Sequence, residues 1–391
     1  MTAGPPAALL LTAARPRLDA SAGARLGTLA AATNDWNRVR SAAGAHGVLP
    51  SLTRALETWA ADAVPPEALQ RLRDAARASG HRSLRLAGEL VRIMARLASA
   101  GIDALAYKGP TLAVLAYGDL GLRPFRDLDI VVDPSAVVPS RRVLEGLGYR
   151  HGPLEPPPRR QATLLATGCE DAYFRENGDI IELHWRILPP YFAMRLEFAE
   201  LWERRAAVPL GGRTVPTLSR EDLVLALCAH GTQHRWERLE WIADVARLLY
   251  TDAGVDWGVA VERARRLGGT RMVGLAVRLA ADLLGAQAPE ACASLAADPA
   301  VARLAATVGA DLFRRSPPCR ELTLTDRSFH VRAQDRMRDR VRYLWHAAVI
   351  PNQPDWALVR LPEPLRGLYY LIRPLRLAVK YARLLFRPAP H

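Results

Sequence analysis

RPFRDLDIVVD, residues 123–133, is the stretch on which the reading of this chain turns. Taken as a β-strand, its side chains alternate, so Asp127, Asp129, Val131 and Asp133 share one face while Leu128, Ile130 and Val132 share the other. The apolar face belongs against a core. Two carboxylates at i and i+2 stand roughly 6.5–7 Å apart, from where both reach a pair of divalent ions spaced about 3.5–4 Å. A second strand repeats the pattern. In GDIIELHWRIL, residues 178–188, Ile181, Leu183, Trp185 and Ile187 form an apolar face and leave Glu182, His184 and Arg186 on the other. Glu182 is the natural third carboxylate, completing an oxygen-rich set of the kind Mg2+ prefers. His184, on the same face, is placed to touch substrate or orient that carboxylate.

Just upstream lies AYKGPTLAVLAYG, residues 106–118. A strand ends near Lys108, and a helix opens with Gly109 as cap and Pro110 at its first position. Free N–H groups there, with the Lys108 charge, make a phosphate-binding corner. The pattern GxxxxGK[ST] is absent, so a P-loop is not supported. Arg123 and Arg126 flank the acid pair, suited either to triphosphate oxygens or to neutralising the acids.

Around this core the periodicity is helical. Apolar residues recur at three- and four-residue spacing over Leu9–Ala14, Val48–Ala60 and Leu84–Leu97. Short β-rich runs then alternate with helices: strands at Ala104–Tyr107 and Leu128–Val132, helices at Pro110–Tyr117 and Ser135–Leu147, and a hairpin around Glu176–Asp179. The prolines of GPLEPPPRR, residues 152–160, predict a surface loop beside the site. Helical patterning returns over Asp222–Tyr250 and Trp257–Leu284, followed by a looser stretch at 316–328 and a basic tail. The fold class expected is α+β and helix-rich: an N-terminal helical region (1–98), a catalytic core (99–190), a helical domain (191–315), and a loop with a basic helical tail (316–391).

The 391 residues, half of them hydrophobic, suffice for two or three packed units. Four scattered cysteines form neither a disulfide framework nor a zinc pattern, which suits a reducing cytoplasm. The opening residues lack a basic segment ahead of their short apolar run, and no uncharged run reaches about 18 residues, so neither a secretion signal nor a membrane span is expected. The formal charge of +13 points to nucleic acid or a membrane surface only weakly, because solvated helix faces rich in Arg account for it and no nucleic-acid reader motif is visible.

YKGPTLAVLAYGDLGLRPFRDLDIVV (107–132), IIELHW (180–185) and LCAHGTQHRWERLEWIADVARLL (227–249), in that order, resemble a family of largely uncharacterised bacterial nucleotidyltransferases of the polymerase-beta superfamily. The likeness extends to ARPRLDA (14–20) and AHGVLPSL (45–52). It implies a small polymerase-beta-like core with Asp127, Asp129 and Glu182 as catalytic and Mg2+-binding acids, and Lys108 and Gly109 in place of the small pair that opens such sites. Two departures stand out: Lys-Gly replaces Gly-Gly or Gly-Ser, and the third acid is Glu where the superfamily has Asp. The activity implied is transfer of a nucleoside monophosphate, AMP from ATP by default, to an acceptor oxygen of a small molecule, peptide, protein or RNA end. The rivals are a catalytically faded member that binds nucleotide or a partner, and a nucleic-acid-binding protein. His230 and His234 share a helix face at i and i+4, but Gly231 stands where HExxH needs Glu, so packing or substrate contact is favoured over metal. Trp241 reads as core. In the tail, the apolar side is expected to dock and the cations to stay in water.

Overall fold

A computed structural model describes residues 5–152, 165–250, 254–314, 324–351, 355, 358–359 and 361–385. The fold is α+β, with a seven-stranded mixed sheet carried by helices. The strands are β1 (Ala104–Ala106), β2 (Asp127–Val132), β3 (Arg150–His151), β4 (Glu170–Phe174), β5 (Ile180–His184), β6 (Ala206–Leu210) and β7 (Arg213–Thr217), in the order β3-β4-β5-β2-β1-β7-β6. Strand β2 lies at the centre, antiparallel to β1 and parallel to β5.

Alternation along β2 sorts its residues between two cores. Leu128, Ile130 and Val132 are fully buried with Leu90, Ile93 and Leu97 of the long helix Pro66–Ser99. Val131 points the other way, into a larger core that joins Leu52 and Leu56 of the N-terminal helices to Leu223, Leu239 and Leu275 beyond residue 220. The N-terminal helices and those after residue 190 therefore close over the same sheet face. Asp127 and Asp129 stand on that face, where the two helical masses leave a cavity.

The expected strands and helices of the central segment are present, with the helix after Gly109 running as one α-turn and then a π-helical turn, Ala113–Tyr117. The hairpin is β4–β5, turning through Arg175–Asp179. Most of the loop 152–160 lies outside the described residues. Past residue 190 the helical reading passes over the hairpin β6–β7, which joins the sheet edge through Ala106 and Thr217. Arg213, Thr214 and Pro216 there carry too little apolar alternation to announce a strand.

The helical run from Asp222 is two helices, Arg220–Gln233 and Leu239–Tyr250. Between them Arg235 and Trp236 take positive φ of 55° and 56°, and the buried Trp236 ring folds back on Gly231, where an added Cβ would meet it at 2.6 Å. Gly231 is thus explained by packing. The tail differs from expectation: in the helix Tyr369–Leu385, Arg373 turns inward to the fully buried Asp355 at 2.8 Å, while Leu371, Leu375 and Val379 stay exposed. A buried carboxylate demands a charged partner more strongly than single leucines demand cover. Among the described residues, no single helix is long and apolar enough to cross a membrane.

Candidate active site

Parallel pairing of β2 with β5 sets Asp129 directly beside Glu182, and antiparallel pairing of β4 with β5 sets Glu170 beside His184. Same-face neighbours on paired strands are within side-chain reach. Asp129 is buried and its Oδ1 accepts from Lys108 Nζ at 2.9 Å and from His184 Nε2 at 3.2 Å. His184 Nε2 also lies 3.5 Å from Glu182 Oε2, and its Nδ1 lies 3.2 Å from Glu170 Oε2 without the alignment of a hydrogen bond. Tyr107 meets the imidazole edge-on and the Lys108 ammonium through its ring face.

The charges in this cluster hold one another. Burial alone would raise the Asp129 carboxyl, but Lys108 and His184 keep it below the usual carboxylate range. Burial opposes the charge of His184, yet its bonds to Asp129 and Glu182 and the charge of Glu170 lift its pKa to about 9. Lys108 is likewise held well above the ordinary lysine value by Asp129, then Tyr107 and Glu182, against the cost of its burial. Asp127 goes the other way: burial and the charges of Asp129 and Glu182 push it up to about 6. Two of the chain's basic residues are lysines, Lys108 and Lys380, so an arginine-rich composition gives way here to a compact ammonium.

Gly109 follows at φ +50°, a left-handed conformation that favours glycine, with a Cβ position 3.5 Å from the Asp127 carbonyl. Its conformation turns the chain from β1 into the helix beneath the acids. Ligand atoms of Asp129, Glu182 and His184 lie within 4.8 Å of one another, a spacing that suits a cation, and Asp127 adds a further oxygen on the same face. The acids of β2 and β5 fit a hard divalent ion, and His184 stands beside them bonded to Asp129, in reach of Glu182, the carboxylate that the strand reading gave it to orient.

These residues floor a cavity of about 600 Å³, a volume that suits a nucleotide-sized ligand. Lys108, Gly109, Arg123, Arg126, Asp127, Asp129 and Glu182 all line it. His184 lies beneath them, with its side chain 2% exposed. Arg123 pairs with neither the acids nor open solvent. It is buried and bidentate to Asp244, Nε to Oδ1 and Nη2 to Oδ2, both 2.9 Å, with Tyr117 donating to the same carboxylate at 2.8 Å. Arg126 is exposed at the cavity edge and pairs with no acid among the described residues. Asp133, the last acid of the quoted strand, caps the turn after it by accepting from the Ser135 N–H.

His230 and His234 line the same cavity and their rings pack with each other and with Trp241, in keeping with the packing half of the reading that offered packing or substrate contact. Burial, then the charge of Lys108, keeps His230 well below the ordinary histidine value. Sequence reasoning missed Glu170, Arg40, Arg82, Arg238 and Glu240, which also line the cavity. Counting outward from a Glu176–Asp179 turn would have set Asp171 opposite His184; the turn is one residue longer, Arg175–Asp179, and pairs Glu170 with His184 instead. No local signal exists for the other four.

The model of a family described as uncharacterised nucleotidyltransferase matches residues 32–285. That span holds both walls of the cavity and all of its floor. A crystal structure of the lincosamide antibiotic adenylyltransferase LnuA with lincomycin bound is similar at 19% identity, covering 35% of this chain and 83% of that one, with a TM-score of 0.27. No curated protein matches the chain.

Proposed function

The chain belongs to this nucleotidyltransferase family, and from that premise we propose that it transfers a nucleoside monophosphate, AMP from ATP, to an acceptor oxygen and releases pyrophosphate. The observation that carries the reading is the convergence of Asp127, Asp129 and Glu182 from two paired strands on the floor of one cavity. Asp127, Asp129 and Glu182 would hold Mg2+, which supplies Lewis-acid stabilisation of phosphate charge when bound. His184 holds Glu182 and Asp129 in place by bridging them.

In the reaction the acceptor oxygen forms a bond to the α-phosphorus as the bond to the pyrophosphate oxygen breaks. The acceptor's proton passes to Glu182, a partly exposed carboxylate that lines the cavity beside Asp129. Lys108 stays on Asp129 and fixes that side chain, and the backbone turn at Gly109 presents N–H groups to phosphate. Closure of the two helical masses over the sheet limits water at the reacting centre. The acceptor chemistry is a hydroxyl on a small molecule, peptide or protein.

Incubation with ATP, Mg2+ and a panel of hydroxyl acceptors, followed by mass spectrometry and pyrophosphate detection, tests the reading. Adduct formation with one pyrophosphate per adduct is expected from the native chain, and a loss of at least about a hundredfold in Asp127→Asn. Pyrophosphate release at equal rate in both proteins would end it.

A further inference from the structure

The cavity is lined by six basic side chains, and they divide by what each already holds. Lys108 is paired with Asp129, Arg123 with Asp244, and Arg238 with Glu240 at 3.0 Å. Arg40, Arg82 and Arg126 are exposed and pair with no acid among the described residues. An exposed arginine on a helix is ordinarily just a solvated charge. These three, however, come from separate parts of the chain: the helix Trp36–Ala45, the helix Pro66–Ser99 and the loop before β2. Folding brings them to one cavity although like charges repel.

The wall around Arg40 and Arg82 is otherwise bare. Gly44, Ala75, Ala78 and Ser79 line it, and a Cβ built on Gly44 meets nothing within 4 Å. Long guanidinium arms on a wall of small residues can swing across an elongated anion, and each arm offers the planar fork that matches phosphate. The floor's own cationic side chain, Lys108, is committed to an acid, so the side-chain cations left open to a polyphosphate are those at the rim.

Resting on the transferase reading above, we infer that Arg40 and Arg82, together with Arg126, grip the terminal phosphates of the donor triphosphate. The N-terminal helices thereby form half of the donor site, and the grip selects triphosphate over monophosphate. The same arms hold pyrophosphate as its bond to the α-phosphorus breaks.

Calorimetric titration of the full chain with inorganic tripolyphosphate, ATP and AMP, each with Mg2+, tests this. The variant carrying both Arg40→Ala and Arg82→Ala should lose about tenfold in affinity per arginine for tripolyphosphate and ATP, and stay within about twofold for AMP. Arg38→Ala, on the same helix but outside the cavity, should bind as the native chain does. Unchanged tripolyphosphate affinity in the double variant, no tripolyphosphate binding by the native chain, or an equal loss in Arg38→Ala would each overturn the grip. Tripolyphosphate held through these arginines with no binding of ATP or AMP would instead sink the transferase reading and leave an anion site. ATP bound normally by the double variant would sink the grip and leave the transferase reading intact.

Discussion

On the floor of the cavity nearly every charge has a partner, with Asp129 held by Lys108 and His184, and Asp244 beneath by Arg123 and Tyr117. Across from it, Arg40 and Arg82 stand exposed without an acid. The difference follows from burial. A charge removed from water must be matched by the protein itself, so floor residues are neutralised whether or not a ligand is present. A charge at the rim is hydrated and needs no match, so it is available to a ligand at little cost. The floor fixes geometry, and the rim supplies attraction.

Substituting one arginine from each side tests that contrast most severely. Arg123→Met strands the fully buried Asp244 with only the Tyr117 hydroxyl, and should lower stability by about 3–5 kcal/mol. Arg40→Met removes a solvated charge and should shift stability by less than about 0.5 kcal/mol. Urea denaturation of both variants measures the gap, and equal losses would dissolve the distinction between floor and rim.

Glu240 sits where the two regions meet and sharpens the comparison with a smaller effect. Its N–H donates to the His46 carbonyl at 3.0 Å, and its carboxyl presses on Gly47 so closely that a Cβ there would lie 1.6 Å from Oε2. Burial raises this carboxyl to about 7, against the pull of Arg238 and Arg123. A folded-state value above the unfolded one means the folded chain binds the proton more tightly. Stability is therefore greatest below the unfolded value near 4.5 and falls as pH rises towards 7, levelling off above it. Glu240→Gln should remove that fall and exceed the native chain by roughly 1–3 kcal/mol at pH 8, with the advantage vanishing near pH 4.5. An advantage independent of pH would place the effect elsewhere.

The floor was legible in the sequence because alternation is local. Leu128, Ile130 and Val132 announce one buried face, and the acids between them must take the other. Ile181 and Leu183 do the same for Glu182, and the two strands meet in the register that joins the acids. What could not be read is whatever depends on distant contacts. Arg123 stood beside the acid pair in sequence, yet its partner lies 121 residues away. Arg40 and Arg82 sit in helices whose periodicity speaks only of their buried sides, such as Val39, Ala43, Ser83 and Leu86. Their meeting over the floor is a product of packing between two helical masses, which no local pattern encodes. The hairpin β6–β7 escaped because its residues alternate too weakly, and the break at Trp236 because glycine at 231 is required by a ring five residues on.

In the proposed reaction the acids of β2 and β5 act together on a divalent ion when nucleotide is present. Titrating Mn2+ into the full chain with ATP, and following the relaxation of water protons, reads that directly for the native chain and for Glu182→Gln, whose half-exposed side chain can be changed without disturbing the core. Tight binding that weakens by about tenfold to a hundredfold in the variant is the result expected. The same Mn2+ affinity in both proteins would contradict it.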